Sequence, residues 1–242
     1  MSVDFEVERK YKIQNPKSQS YRLTLPSLFF NEYSIEENKE YDIEISSNNG
    51  FATINYGISD NSNNISRKLT KSNNTIRIPS SIGDGISLFE NTDIHWTSCI
   101  ENDVRKFNAE TTYHIPAIDI SNWEVLKKTS LKPIKQSRKS DTGENQKQEH
   151  FDIYFNQVEK EMLGWDIETV VEMAIVSIDD KLSLQIQPKS KSSQKLGAKI
   201  NSSGFKQKDA RIYIPRALVR SLGLSNKNFD ILYQNQSIIL KY

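Results

Sequence analysis

The stretch Arg211-Ile-Tyr-Ile-Pro-Arg-Ala-Leu-Val-Arg-Ser-Leu-Gly-Leu224 is the most regular part of this chain, and three earlier stretches repeat its pattern. It predicts a strand of alternating apolar residues that stops at Pro215, a residue preset for the first turn of a helix. Gly223 tolerates the positive φ of a helix C-terminal cap and predicts where the helix ends. The predicted unit is therefore a strand, a proline, a short helix and a terminating glycine.

The earlier copies keep this pattern to different degrees. The first runs from Arg22 to Ile35 and the second from Thr75 to Leu88, with apolar residues and proline in the same places. In the second, Gly83-Asp-Gly85 is expected to interrupt the helix. The third, from Asp152 to Trp165, is the weakest, because Asn156 replaces proline and Glu159 stands where Leu or Phe is expected.

The segments around the copies also recur. Alternating strand patterns joined by polar turns follow the copies and predict hairpins at 41–56, 170–186 and 229–242. Basic strand patterns precede them at 7–13, 65–70, 195–200 and, less regularly, 131–138. One repeat is therefore predicted as strand, basic loop, strand, short helix, strand, turn and strand.

The chain length and the repeats predict two domains. A single repeat offers too little apolar surface to fold alone, so we expect the repeats to pair. Residues 125–149 are polar and charged and are expected to form a linker or long loop. The predicted domains are 1–124, with repeats 1 and 2, and 150–242, with repeats 3 and 4.

The net charge of +1 hides a strong asymmetry along the chain. Residues 1–124 carry 12 basic and 18 acidic residues, a balance of −6. Residues 189–242 carry 11 basic and 2 acidic residues, a balance of +9. Because the placement of charge governs attraction to polyanions, the whole-chain charge is a poor guide to partners.

Several classes of function lack sequence support. The single cysteine, Cys99, excludes an intrachain disulfide, and the histidines have no partners at metal-ligand spacing. No nucleophile–base pair or carboxylate dyad is evident. We therefore expect no enzyme activity, no metal and no cofactor. The charged N-terminus and the absence of a long apolar run predict a cytoplasmic protein that does not contact a membrane.

The repeat resembles the AbrB/SpoVT/MazE superfamily of swapped-hairpin β-barrels. Its signature is an Arg-containing strand ending in Ile-Pro, a short helix ending in Leu-Gly-Leu, and a further strand. Residues 208–242 match it closely, 20–56 well, 75–100 moderately and 150–187 loosely. The resemblance implies a mainly β protein with short helices, built as two tandem AbrB-like barrels that are each a pseudo-dimer of two repeats.

Members of this superfamily are typically DNA-binding transcriptional regulators or antitoxins. The resemblance implies that basic strand–loop faces of the barrels contact double-stranded DNA. The third repeat departs from it, because Asp152 occupies the position of Arg22 and Arg211. The predicted DNA-binding residues are Arg9, Lys10, Lys12, Lys17, Arg22, Arg67, Lys68, Lys71, Arg77, Lys135, Arg138, Lys195, Lys199, Lys206, Lys208 and Arg211.

The basic strands permit two interpretations on physical grounds alone. Lysine and arginine on an exposed strand face bind phosphates and release condensed counterions. They also occur on solvated sheet faces, where edge lysines deter aggregation. Recurrence at the same place in several repeats favours nucleic acid. Tyr154 and Tyr213 alternate with isoleucine, and the pattern leaves open whether they face outward.

A protein-interaction or adaptor module is the alternative function, including an antitoxin-like role. The acidic balance of the first predicted barrel fits a protein partner. The sequence leaves open whether the chain forms a homodimer and which DNA sequence it recognises.

Overall fold

The computed structural model describes residues 7–10, 20–26, 40–58, 66–68, 75–88, 93–101, 104–139, 145–166, 169–191, 198–199, 201–203 and 206–242. Within these residues strands dominate, and the helices are short. The predicted class of a mainly β protein with short helices is confirmed. No helix among the described residues combines the length and the apolar character needed to span a bilayer.

The chain divides into two compact units. The first comprises Met1–Pro116 with the short segment Arg220–Leu222, and the second comprises Ala117–Val219 with Gly223–Tyr242. The main division thus falls between Pro116 and Ala117, whereas the predicted first domain extends to residue 124.

The first unit contains a large antiparallel sheet and a two-stranded ribbon. Its elements are β1 (Val7–Lys10), β2 (Ser20–Thr24), β3 (Glu40–Asn48), β4 (Phe51–Ile58), β5 (Ser66–Lys68), β6 (Thr75–Pro79), α1 (Ser80–Gly85), β7 (Asp93–Glu101) and β8 (Val104–His114). The large sheet has the order β1-β7-β8-β4-β3-β5, and β2 pairs with β6 in the ribbon. Leu23, Ile76 and Ile78 of the ribbon are buried, while Arg77 between two of them is exposed, as strand alternation requires.

The second unit contains two further antiparallel sheets. Its elements are β9 (Glu124–Ser130), β10 (Ile134–Lys139), β11 (Asn145–Phe155), α2 (Gln157–Leu163), β12 (Val170–Ile178), β13 (Lys181–Pro188), β14 (Ala198–Lys199), β15 (Asn201–Ser203), β16 (Lys206–Ile214), most of α3 (Arg216–Ser221), β17 (Asn228–Gln234) and β18 (Ser237–Lys241). The strand orders are β10-β11-β16-β15 and β14-β12-β13-β18-β17-β9.

The predicted hairpins that follow the first, third and fourth copies are confirmed as β3–β4, β12–β13 and β17–β18. Each turns on two consecutive residues with positive φ, the pattern of a two-residue type I′ turn that suits the twist of the flanking strands. The turn residues are Asn49 and Gly50, Asp179 and Asp180, and Asn235 and Gln236.

The copies pair in the same register in both units. Leu23 of β2 pairs with Ile76 of β6, and Ile153 of β11 pairs with Ile212 of β16. All four residues occupy the same position of the aligned copies. In each unit, therefore, a residue of one copy pairs with the equivalent residue of the other copy. Within the described residues none of the sheets closes on itself, and the swapped-hairpin barrel stays a prediction.

The third copy forms its helix by a different device from proline. The Asn156 side chain accepts a hydrogen bond from the Glu159 backbone N–H at 2.9 Å. The Glu159 carboxylate accepts one from the Asn156 N–H, also at 2.9 Å. This is a capping box, which satisfies two backbone donors at the start of α2. Asn156 and Glu159, which depart from the repeat pattern, therefore start a helix at the position where the other copies have one. Gly164 ends this helix with φ 62°.

Two predictions are wrong. The predicted linker, residues 125–149, contains β9, β10 and the first part of β11, because β9 pairs with β17 and β10 pairs with β11. The predicted interruption at Gly83-Asp-Gly85 is also wrong, because α1 runs through both glycines.

Candidate nucleic-acid interface

The β2–β6 ribbon presents two arginines side by side. Arg22 pairs directly with Arg77, on the face opposite to the buried Leu23 and Ile76. Side chains at directly paired positions lie within about 5.5 Å of each other at Cβ, so the two cations repel. Within the described part of the chain neither guanidinium has a carboxylate partner. An external anion is the group that would relieve this repulsion.

The arginines stand beside small polar residues on the same face. Thr24 pairs with Thr75, the next outward-facing pair along the ribbon. Both threonines are partly exposed. The outer face thus combines two cations with two hydroxyls, a composition suited to phosphate oxygens.

The corresponding face of the second unit, on β11 and β16, carries different chemistry. Tyr154 pairs with Arg211, and Asp152 pairs with Tyr213. These are the positions equivalent to the arginine and threonine pairs of the β2–β6 ribbon. Tyr154 and Tyr213 are 49% and 43% exposed, which resolves the orientation that the sequence left open.

Asp152 lies beneath its neighbours on this face. Its side chain is only 3% exposed, and its Oδ2 atom lies 3.7 Å from Arg211 Nη1 and 3.6 Å from His150 Nε2. The Tyr154 hydroxyl donates to the same oxygen at 3.4 Å. The carboxylate therefore offsets the charge of Arg211, a predicted DNA-binding residue.

The other predicted cations are distributed over several sheets. Arg9 and Lys10 lie on β1 and Arg67 and Lys68 on β5, at opposite edges of the large sheet of the first unit. In the second unit the predicted residues occupy β10 (Lys135, Arg138), β14 (Lys199) and β16 (Lys206, Lys208). Lys12, Lys17, Lys71 and Lys195 lie outside the described residues.

Strand register places acidic residues opposite several of these cations. Lys10 pairs with Asp93, Lys68 with Glu40, and Lys135 with Glu149. Opposite charges at directly paired positions stabilise a sheet by themselves. Register thus sets these three lysines opposite acidic positions, whereas it sets Arg22 opposite another cation, Arg77.

One cation that the sequence did not single out makes a dense set of contacts. Lys127 Nζ donates to the Tyr154 carbonyl oxygen and lies 2.8 Å from Glu159 Oε2. It also lies 4.4 Å from the centroid of the Phe155 ring. Lys127 thus joins β9 to the start of α2. Its contacts lie about 30 positions away in sequence, so no local motif could have indicated them.

The described residues offer no arrangement for a metal ion. No group of three or more His, Cys, Asp or Glu side chains among them is placed to hold one. His114 instead packs edge-on against Phe51, with ring centroids 5.4 Å apart.

Comparisons of the chain with protein-family models, with curated proteins and with solved structures find no match. The resemblance to the AbrB/SpoVT/MazE superfamily therefore depends on the repeat residues themselves.

Proposed function

We propose that this chain is a DNA-binding protein that contacts duplex DNA, acting as a transcriptional regulator. The Arg22–Arg77 pair on the outer face of the β2–β6 ribbon carries the proposal. Two cations at directly paired positions, with no described carboxylate partner, form a site for the negatively charged DNA backbone.

The shape of the element supports a duplex as the ligand. The major groove of B-DNA admits a two-stranded β-ribbon, and guanidinium groups there bind guanine edges or phosphates in a bidentate manner. The β2–β6 ribbon places both arginines on its outward face, opposite to its buried residues. We propose that this face enters or follows the groove.

The shared pairing register supports the proposed architecture. Repeats 1 and 2 meet at Leu23 and Ile76, and repeats 3 and 4 meet at Ile153 and Ile212. In a pseudo-dimer, each repeat is expected to pair with the other at equivalent residues. We infer two swapped-hairpin pseudo-dimers of the AbrB-like kind, with the first as the principal contact to duplex DNA.

The test is a fluorescence anisotropy titration with a labelled duplex of mixed sequence at several salt concentrations. We expect the Arg22→Ala/Arg77→Ala variant to bind duplex DNA more weakly. The negative slope of log K against log salt should become shallower by about 2, because each lost phosphate contact removes about 0.9 from its magnitude. The control is Lys128→Ala/Lys181→Ala, which removes the same charge from exposed positions of the second unit. Equal slopes in the two variants would remove the proposal.

A second pair of variants separates charge from geometry. Arg22→Lys/Arg77→Lys keeps both charges but loses the planar fork. Contacts to phosphate alone predict an unchanged salt slope and unchanged sequence preference. If the arginines contact guanine, the lysine variant should discriminate less between duplexes of different sequence, while its salt slope stays unchanged.

The alternative, a protein-interaction module, has one observation in its favour. Val158 and Met162 lie four residues apart on α2 and are 64% and 48% exposed. Residues at this spacing share a helix face, and exposed apolar faces contribute to protein interfaces. If duplex binding is absent, recovery of a partner from nuclease-treated extract should depend on these two side chains and not on Arg22 and Arg77.

A further inference from the structure

The outer face of the β11–β16 pair carries planar side chains that the duplex proposal does not use. Tyr154, Tyr213 and Arg211 lie on it, and each is exposed to between two-fifths and one half. His150 is the next outward position of β11 and contacts Tyr213, with ring centroids 6.2 Å apart. Two phenols, a guanidinium and an imidazole therefore share one strand-pair surface, which we name the tyrosine face.

The Asp152 side chain, which is 3% exposed, lies under this surface. Its Oδ2 atom is the common neighbour of Arg211, His150 and Tyr154, at 3.7, 3.6 and 3.4 Å. A carboxylate with 3% exposure restricts the rotamers of all three groups around it. The planar groups are thus arranged before any ligand arrives, which lowers the entropy lost on binding.

The charge at the centre of this surface is nearly balanced. At the centre Asp152 offsets Arg211, so the exposed rings stand in a nearly neutral environment. Lys206 and Lys208 occupy strand positions on the same strand as Arg211, and Arg138 lies on β10 of the same sheet. A ligand that fits the described side chains has planar groups for the exposed rings.

We propose that the tyrosine face binds single-stranded nucleic acid, with unpaired bases stacked on Tyr154 and Tyr213. Bases stack on aromatic and guanidinium planes with little dependence on sequence, while a cationic surround follows the backbone. In duplex DNA the bases are already stacked on one another, so exposed rings gain nothing comparable there. The site is separate from the β2–β6 ribbon and does not depend on the duplex proposal.

The test uses a labelled oligothymidylate of about 12 nucleotides and anisotropy measurements with the full chain. We expect Tyr154→Ala/Tyr213→Ala to weaken binding at least about thirtyfold, since stacking contributes about 1–3 kcal/mol per base and about 1.4 kcal/mol is tenfold. Tyr154→Phe/Tyr213→Phe keeps the rings and should stay within about threefold of the parent chain. Lys128→Ala/Lys181→Ala, which removes two exposed cations and no ring, should also bind the oligothymidylate within about threefold.

The tyrosines are about half exposed, so the alanine variant should keep its melting temperature, and a thermal melt monitored by circular dichroism checks this. Three results would overturn the proposal: no binding of oligothymidylate by the parent chain, unchanged binding by the alanine variant, or equal losses in the alanine and phenylalanine variants. If oligothymidylate binding does not depend on the tyrosines, this face fits a protein partner better, because Tyr and Arg also dominate protein interfaces.

Discussion

The hydroxyl of Tyr21 donates a 2.5 Å hydrogen bond to the Asp84 carboxylate. Tyr21 lies on β2 beside the first copy and Asp84 lies on α1 of the second, so this bond joins two repeats within the first unit. The Tyr21 ring also covers Gly83. A Cβ atom on Gly83 would lie 2.1 Å from Tyr21 Cδ2 and 2.2 Å from Cε2. The helix therefore needs a glycine here for close approach of an aromatic ring.

Gly83→Ala should destabilise the chain. The added methyl group must displace a ring that is held at its hydroxyl, and such overpacking costs about 1–3 kcal/mol. Urea unfolding followed by circular dichroism measures the loss. Gly57→Ala is the matched control, because a Cβ there meets only the Lys106 side chain, at 3.9 Å. A Gly83→Ala chain as stable as the Gly57→Ala chain would show that the ring moves aside freely.

The Tyr21–Asp84 bond should also make stability depend on alkaline pH. Burial, and then the neighbouring Asp84, raise the pKa of Tyr21 above the usual value of a phenol. In the unfolded chain the phenol ionises near pH 10, before it does in the folded chain. The stabilisation is therefore complete below about pH 10 and decreases as the pH rises further.

Tyr21→Phe tests this dependence. At neutral pH it should cost about 1–3 kcal/mol, because buried Asp84 loses a donor. Urea midpoints measured between about pH 8 and about pH 11 should fall less steeply for the variant than for the parent chain. Some slope should remain, because burial also raises the pKa of Tyr113. Identical slopes for parent and variant would contradict the assignment to Tyr21.

Lys127 and its neighbour Lys128 test whether a lysine stabilises the fold through contacts that are shielded from solvent. Lys127→Met removes a cation that is 18% exposed and leaves Glu159, which is 15% exposed, without its ion-pair partner. We expect a loss of about 1–3 kcal/mol in the free energy of unfolding. Lys128 is 83% exposed and lies 3.6 Å from Asp230. Lys128→Met should change stability by less than about 0.5 kcal/mol. Similar losses in both variants would argue against a structural role for Lys127.

The features that local residue patterns specify could be predicted from the sequence. The hairpins at Asn49-Gly50 and Asp179-Asp180 follow from turn chemistry and alternating strands. The C-cap at Gly223, with φ 62°, follows from the end of an apolar helical pattern. Burial of Ile76 and Ile78 follows from strand alternation.

The features that depend on residues distant in sequence could not be predicted from local patterns. Gly83 appears as a helix breaker until Tyr21, some 60 positions earlier, is known to lie on it. The pairing of Arg22 with Arg77 depends on the register between two repeats. Asp152 marks a departure from the repeat, but only the folded face shows that it lies beneath Arg211.

Asp152→Asn tests whether this carboxylate limits binding of polyanions by the second unit. Removing the charge leaves Arg211, which is 45% exposed, without its offsetting anion. We expect oligonucleotide affinity to rise, and the slope of log K against log salt to steepen by about 0.7–0.9, as for one more phosphate contact. Asp166→Asn, at an exposed position of the same unit, changes the net charge equally and should leave the slope unchanged. A thermal melt separates this effect from a loss of folding, since weaker hydrogen bonds to the amide should cost about 1–2 kcal/mol. If both variants shift the slope equally, long-range charge is responsible and Arg211 makes no new contact.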